Sequence, residues 1–235
     1  MRKKLALAVL FGAVIAGAYV YAGSYARQRI EETIAHNLHQ TIGPARSYDV
    51  TITGSLIEIA RGNLSAATIR GKHVETDKGI RLDRLLIRLR GVRFELGSPS
   101  MLDAEETTFE TSVTEAELSS YLSRTRADIP DLRIALLDGK FRLSASSISV
   151  GRSTPVNAEG TLAVADGTRL ICNLVNVTCN GKTAPTFFRN VLENRLNPVL
   201  DLTKWRFSAK LKSAVVRRGA VTLTGSADLT SRVSR

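Results

Sequence analysis

The stretch "RLDRLLIRLRGVRFEL", residues 81–96, sets arginine beside aliphatic side chains from end to end. Leu85, Ile87 and Leu89 share odd parity, whereas Val92, Phe94 and Leu96 share even parity. Alternation of this kind is the mark of a half-buried strand, since successive side chains leave a strand on opposite faces. The change of parity falls at Arg90-Gly91. A slip of one residue would turn every later side chain over, so the pattern predicts a β-bulge at Gly91. With that bulge the apolar residues face one way, and Arg84, Arg88, Arg90 and Arg93 face the other.

The neighbouring segments extend this two-faced pattern. Residues 48–53, 64–74 and 109–113 read as further strands, and "SLIEIA" (55–60) reads as a helical turn. Thr114-Glu115-Ala116-Glu117 has the form of a capping box, with Val113 and Leu118 as a hydrophobic staple. It predicts a helix to about Arg124. Asp138-Gly139 is a two-residue hairpin signal. Counting outward pairs Leu136 with Phe141, Ile134 with Leu143 and Leu132 with Ala145, which puts all six on one face. At Asp166-Gly167-Thr168 a three-residue loop keeps Val164 opposite Leu170 and Leu162 opposite Cys172. Pro185 opens a further helix that Asn197-Pro198 ends. Beyond it Trp205, Phe207, Ala209 and Leu211 alternate with Lys204, Arg206, Ser208, Lys210 and Lys212. Arg217-Arg218-Gly219 turns the chain toward Val221 and Leu223. Strands joined mostly by hairpins, with two or three helices, predict an antiparallel α+β architecture. One face of the sheet is apolar and the other basic or polar.

The chain has 235 residues and a formal net charge of +11. That surplus favours an anionic partner. Leu5 to Ala26 is a run of 22 residues without a charge, preceded by Arg2, Lys3 and Lys4. As a helix it would span roughly 33 Å, about one bilayer core. The basic residues before it place the N-terminus in the cytoplasm and the rest outside. Residues 1–26 therefore read as a membrane anchor or a cleaved signal peptide, and residues 27–235 as one extracytoplasmic domain. Export removes most of the weight from a nucleic-acid partner, and aromatic residues make up only 6% of the chain. From Ala26 a narrow apolar stripe (Ile30, Ile34, Leu38, Ile42) predicts a helix up to Gly43-Pro44.

Chemistry-bearing motifs are sparse. There is no Gly-x-Ser-x-Gly, no His-Glu-x-x-His and no phosphate loop, so no catalytic residue is assigned and an enzyme is not expected. His36 and His39 have a spacing that a metal can use, but no acidic cluster supports them, and neither metal nor cofactor is expected. Cys172 and Cys179 are a disulfide candidate if the two residues stand opposite each other in a hairpin.

"TEAELSSYL" (114–122), "IEIARGNLSAATIRG" (57–71), "IRLDRLLIRLRGVRFEL" (80–96) and "ENRLNPVLDL" (193–202) resemble the LmeA-like phospholipid-binding proteins, a family of bacterial envelope domains. The likeness runs over roughly residues 27–230. It implies an elongated, strongly curved antiparallel sheet packed against helices, similar to the tubular lipid-binding folds. It also implies phospholipid as ligand. It offers no motif from which site residues carry over.

The site candidates come from the pattern alone. Leu85, Ile87, Leu89, Phe94, Leu96, Phe141, Leu143, Trp205, Phe207 and Leu211 form the face expected toward acyl chains or core. Arg84, Arg88, Arg90, Arg93, Lys204, Arg206, Lys210 and Lys212 form the face expected toward headgroups, an anionic surface or water. The expected function is membrane-tethered binding, with or without transfer, of phospholipid or a lipid-linked precursor during envelope assembly. The alternative is a non-enzymatic scaffold whose basic face meets an anionic polymer or a membrane protein.

Overall fold

The computed structural model describes residues 31, 35, 38–39, 42–55, 57–58, 61–76, 79–94, 101–149, 152–204 and 208–228. The uncharged run at 5–26 lies outside the described residues, and among those described no helix is long and apolar enough to cross a membrane. Residues 31, 35, 38 and 39 are helical, and Leu38 is buried, as the stripe predicts.

Two antiparallel sheets carry the fold. The first has six strands in the order β1 (Ser47–Thr53), β2 (Asn63–Glu75), β3 (Arg81–Phe94), β4 (Met101–Thr114), β12 (Ala220–Asp228) and β11 (Ser208–Arg217). The second runs β10 (Leu200–Asp201), β8 (Arg169–Cys179), β7 (Arg152–Ala165), β6 (Lys140–Ser149) and β5 (Arg133–Leu137), with β9 (Lys182–Thr183) also paired to β8. Helix α1 (Glu115–Thr125) follows β4, and α2 (Thr186–Leu196) follows β9. The sheets do not close into a barrel.

Local signals place most of these boundaries. The Thr114 hydroxyl accepts from the Glu117 N–H at 3.3 Å, so α1 begins where the capping box predicts, with Val113 and Leu118 buried beside it. Leu136 pairs with Phe141 and Ile134 with Leu143. Val164 pairs with Leu170 and Leu162 with Cys172, the register of the three-residue loop. Asp166 and Gly167 hold φ of 52° and 63°, the left-handed conformation that such a loop uses.

The expected bulge at Gly91 is not there. Register between β2 and β3 is unbroken from Asn63↔Arg93 to Glu75↔Arg81. Nevertheless Leu89 and Val92 are both buried, so the faces do exchange at this point. Gly91 does it with φ of 57°, a left-handed turn of the backbone in place of an inserted residue. Opposite it, β2 inverts at the same level, with Leu64 and Ala67 both buried. The one register shift of β3 against β4 lies further on, between Arg93 and Phe94.

Unpaired backbone groups at the sheet edges are met by helices and turns. The Ile52 N–H on edge strand β1 donates to Glu31 Oε1 at 3.0 Å. On β5 the Leu136 N–H donates to Glu115 Oε2 at 2.6 Å and the Ile134 N–H to the Ser119 hydroxyl at 3.3 Å. On β8 the Leu174 N–H donates to Glu193 Oε2 at 2.8 Å. The Asn197 side chain both accepts from the Cys172 N–H at 2.7 Å and donates to the Cys172 carbonyl at 2.9 Å, like one more strand residue. Edge strand β11 meets the hairpin tips of the other sheet. Its Leu211 N–H donates to the Gly167 carbonyl at 2.6 Å, and its Val216 carbonyl accepts from the Gly139 N–H at 3.1 Å.

The apolar faces of both sheets, the inner sides of α1 and α2 and Leu38 join in one buried cluster. Its packing is close enough to fix glycines. A Cβ at Gly225 would lie 2.7 Å from the Phe109 ring and 2.1 Å from the Lys210 carbonyl oxygen. The disulfide candidate is corrected here. Cys172 and Cys179 are free thiols on the same strand, facing Leu162 and Val156 across β7, about 23 Å apart at strand rise. The chain turns only after Cys179, at Asn180-Gly181, so the two cannot oppose one another.

Two measurements check this account. Glu115→Ala and Glu193→Ala each strand a half-buried N–H, so each lowers unfolding free energy in urea by ~1–3 kcal/mol. Glu110→Ala, on the exposed face of β4, changes it by less than about 0.5 kcal/mol. Burial pushes the Cys172 thiol up to about 12, and burial also raises Cys179 more mildly. A thiol reagent at pH 8 therefore modifies Cys179 well before Cys172. Equal rates, or a mass lower by two hydrogens, would contradict the placement.

Candidate functional site

Register converts the two-faced sequence pattern into rows across the six-stranded sheet. One inward row is Val50, Ile69, Ile87, Phe109, Gly225 and Leu211. The next outward row is Thr51, Thr68, Arg88, Thr108, Ser226 and Lys210. Of the residues expected toward acyl chains, Leu85, Ile87, Leu89, Phe141, Leu143 and Leu211 are all 1–5% exposed and belong to the buried cluster. Leu96, Trp205 and Phe207, together with the Phe94 side chain, lie outside the described residues.

The basic face is more finely divided than its sequence suggests. Arg84, Arg88, Arg90, Arg93, Lys210 and Lys212 are exposed, whereas Arg206 and the Lys204 side chain lie outside the described residues. Three of the arginines have carboxylate neighbours: Arg84 with Asp83 at 3.4 Å, Arg90 with Glu106 at 3.8 Å and Arg93 with Asp103 at 2.7 Å. Such exposed pairs add little stability, but they cancel charge locally. Arg88, Lys210 and Lys212 have no ion pair among the described residues. Arg88 and Lys210 share the hydroxyl-rich outward row.

A second feature was not visible in the sequence. An open groove of about 1080 Å³ runs between α1, the β2–β3 turn and the segment leading into β5. Helix α1 presents Ala116, Ser119, Ser120, Ser123 and Arg124 to it, residues three and four apart and therefore on one helical face. The opposite face of the same helix buries Leu118 and Leu122. Small side chains toward the groove leave the space open.

The groove wall at the β2–β3 turn is built by hydrogen bonds. Arg81 donates to Glu75 Oε1 at 2.7 Å and to Glu117 Oε1 at 3.2 Å, tying the turn to α1. The Glu75 hydrogen bond, then the Glu117 charge, push the pKa of this guanidinium up and keep it cationic. Arg124 Nη2 donates to the Gly79 carbonyl. On the other side the Ser123 hydroxyl donates to the Leu132 carbonyl at 2.7 Å, and the Ser146 hydroxyl donates to Asp131 Oδ2 at 2.8 Å. Arg133 lines the groove without an ion pair among the described residues. Ile129 and Leu132 line it too, and both belong to the buried cluster, so the groove meets the apolar interior there. Among the described residues no group of His, Cys, Asp or Glu could hold a metal ion. The pattern of small and polar residues on 116–123 could be read from the sequence. What faces it could not.

No curated protein and no solved structure matches the chain. The model of one family does match, over residues 17–226, which takes in both sheets, both helices and the groove. The chain belongs to the LmeA-like phospholipid-binding family.

Proposed function

We propose that this protein binds phospholipid, or a lipid-linked precursor, outside the cytoplasmic membrane, held there by residues 5–26 or released after their removal. The family match over residues 17–226 carries the reading. The two-faced sheet supports it, because one chain offers both of the surfaces a phospholipid needs. Each methylene withdrawn from water contributes ~0.8 kcal/mol, so the tails need only apolar surface. They reach it where Ile129 and Leu132 join the groove to the interior. Arg88, Lys210 and Lys212, exposed and with no ion pair among the described residues, meet the anionic bilayer surface. The role is binding, with or without transfer, during envelope assembly, and not catalysis.

A second reading has its own support. The buried cluster fills the face expected toward acyl chains, and a filled interior suits a scaffold that binds an anionic polymer or a membrane protein through its basic face. Native mass spectrometry of the full chain separates the two readings. Co-purified phospholipid, and uptake of labelled phospholipid from vesicles, are expected from a binder. A chain that carries no lipid and takes none up is the scaffold. On vesicles rich in anionic lipid at low salt, Arg88→Glu, Lys210→Glu and Lys212→Glu should each weaken association by at least about fivefold, ~1 kcal/mol per charge, with the difference shrinking at high salt.

A further inference from the structure

We infer that the groove beside α1 is the headgroup site, and that it takes a phosphodiester whose far end carries a hydrogen-bond donor, as a zwitterionic phosphoethanolamine does. The inference rests on the phospholipid reading and assigns it a place. Three carboxylates (Glu75, Glu117, Asp131) and three guanidiniums (Arg81, Arg124, Arg133) line the groove, so its charge balances. A site for a plain anion would carry an excess of cations. A balanced site suits a ligand with both signs, or with an anion and donors together.

The two signs are also disposed unequally. Arg81 is spent on Glu75 and Glu117, which leaves that wall with a surplus of carboxylate. Arg124 gives one donor to a neutral carbonyl, at Gly79, and keeps the others among the described residues. Arg133 keeps all of its donors among the described residues. The Ser120 hydroxyl is exposed in the same groove. Guanidiniums with spare donors grip phosphate oxygens, two at a time where geometry allows. The wall of Glu75 and Glu117 then accepts from an ammonium or hydroxyl at the far end of the headgroup. Ile129 and Leu132 lie where the glycerol end would turn toward the interior. The volume, about 1080 Å³, exceeds that of a headgroup and leaves room for the first carbons of the chains.

The test is calorimetric titration of the full chain with glycerophosphoethanolamine and, separately, with inorganic phosphate. Glycerophosphoethanolamine should bind, and inorganic phosphate should bind about tenfold more weakly or not at all, having nothing to offer the carboxylate wall. Arg124→Gln with Arg133→Gln should weaken glycerophosphoethanolamine by about tenfold or more, because two charge-assisted donors are lost. Ser120→Leu removes no structural hydrogen bond and fills the groove, so it should do the same even if the arginine variant folds poorly. Unaltered binding in a folded Ser120→Leu variant, or no binding to the parent chain, overturns the assignment. Inorganic phosphate binding as tightly as glycerophosphoethanolamine makes the groove a free-phosphate site and overturns it too. Uptake of phosphatidylethanolamine from vesicles separates the two levels. A parent chain that takes up lipid while Ser120→Leu takes up as much removes the groove but leaves the phospholipid reading standing. A parent chain that takes up no phosphatidylethanolamine but does take up other phospholipids overturns the headgroup assignment alone, and one that takes up no phospholipid of any headgroup removes that reading itself.

Discussion

Three glutamates, each reaching out from a helix, accept from a strand N–H on a side that no neighbouring strand covers: Glu31 from Ile52 on β1, Glu115 from Leu136 on β5, and Glu193 from Leu174 on β8, in the gap between β10 and β9. Two open sheets present four edges, and an edge offers backbone donors and acceptors that must be paired, solvated or covered. A barrel removes edges by closing on itself. Here the edges stay open to one another and are closed by other means. Helical side chains serve β1, β5 and β8, and hairpin tips serve β11. A carboxylate is a strong acceptor for such a donor, and it also ties its helix to the sheet at a defined level. The positions of α1 and α2 follow from this.

The groove is a consequence of the same arrangement. Helix α1 turns Glu115 and Ser119 to β5 and Leu118 and Leu122 to the interior. Its remaining face, small and hydroxylated, can then only look toward the β2–β3 turn. Arg81 bridges the gap to Glu117. A polar groove joined to an apolar interior through Ile129 and Leu132 is the layout that an amphiphile requires. In this way the edge contacts of one helix lead to the shape of the candidate site and to the class of ligand proposed for it.

The basic face shows why counting charges along a strand misleads. Read along residues 81–96, the arginines form one cationic stripe. Across the strands, Asp103 and Glu106 of β4 stand opposite Arg93 and Arg90 in the paired register. Cross-strand neighbours lie closer than neighbours along a face of one strand, so the local field depends on pairing. Of the basic residues expected on this face, Arg88, Lys210 and Lys212 are exposed with no ion pair among the described residues, and they are left to act at a distance.

Alternation and turn chemistry, both local, made the strands, both hairpin registers, the Thr114 cap and the two-faced character of the sheet readable from the chain alone. Even the change of face at Gly91 was readable, because it is written in the order of apolar residues. The means was not: a left-handed glycine and an inserted residue leave the same parity record, and only the pairing with β2 tells them apart. The same limit applies to Cys172 and Cys179, whose separation depends on where β8 ends. It applies again to Glu115, which reads as a helix-start carboxylate until β5 is beside it. The groove is the largest case, since its walls come from segments about forty residues apart. Short-range preferences settle what each segment is. Which segments meet, and what lies between them, is decided by the packing of the whole chain.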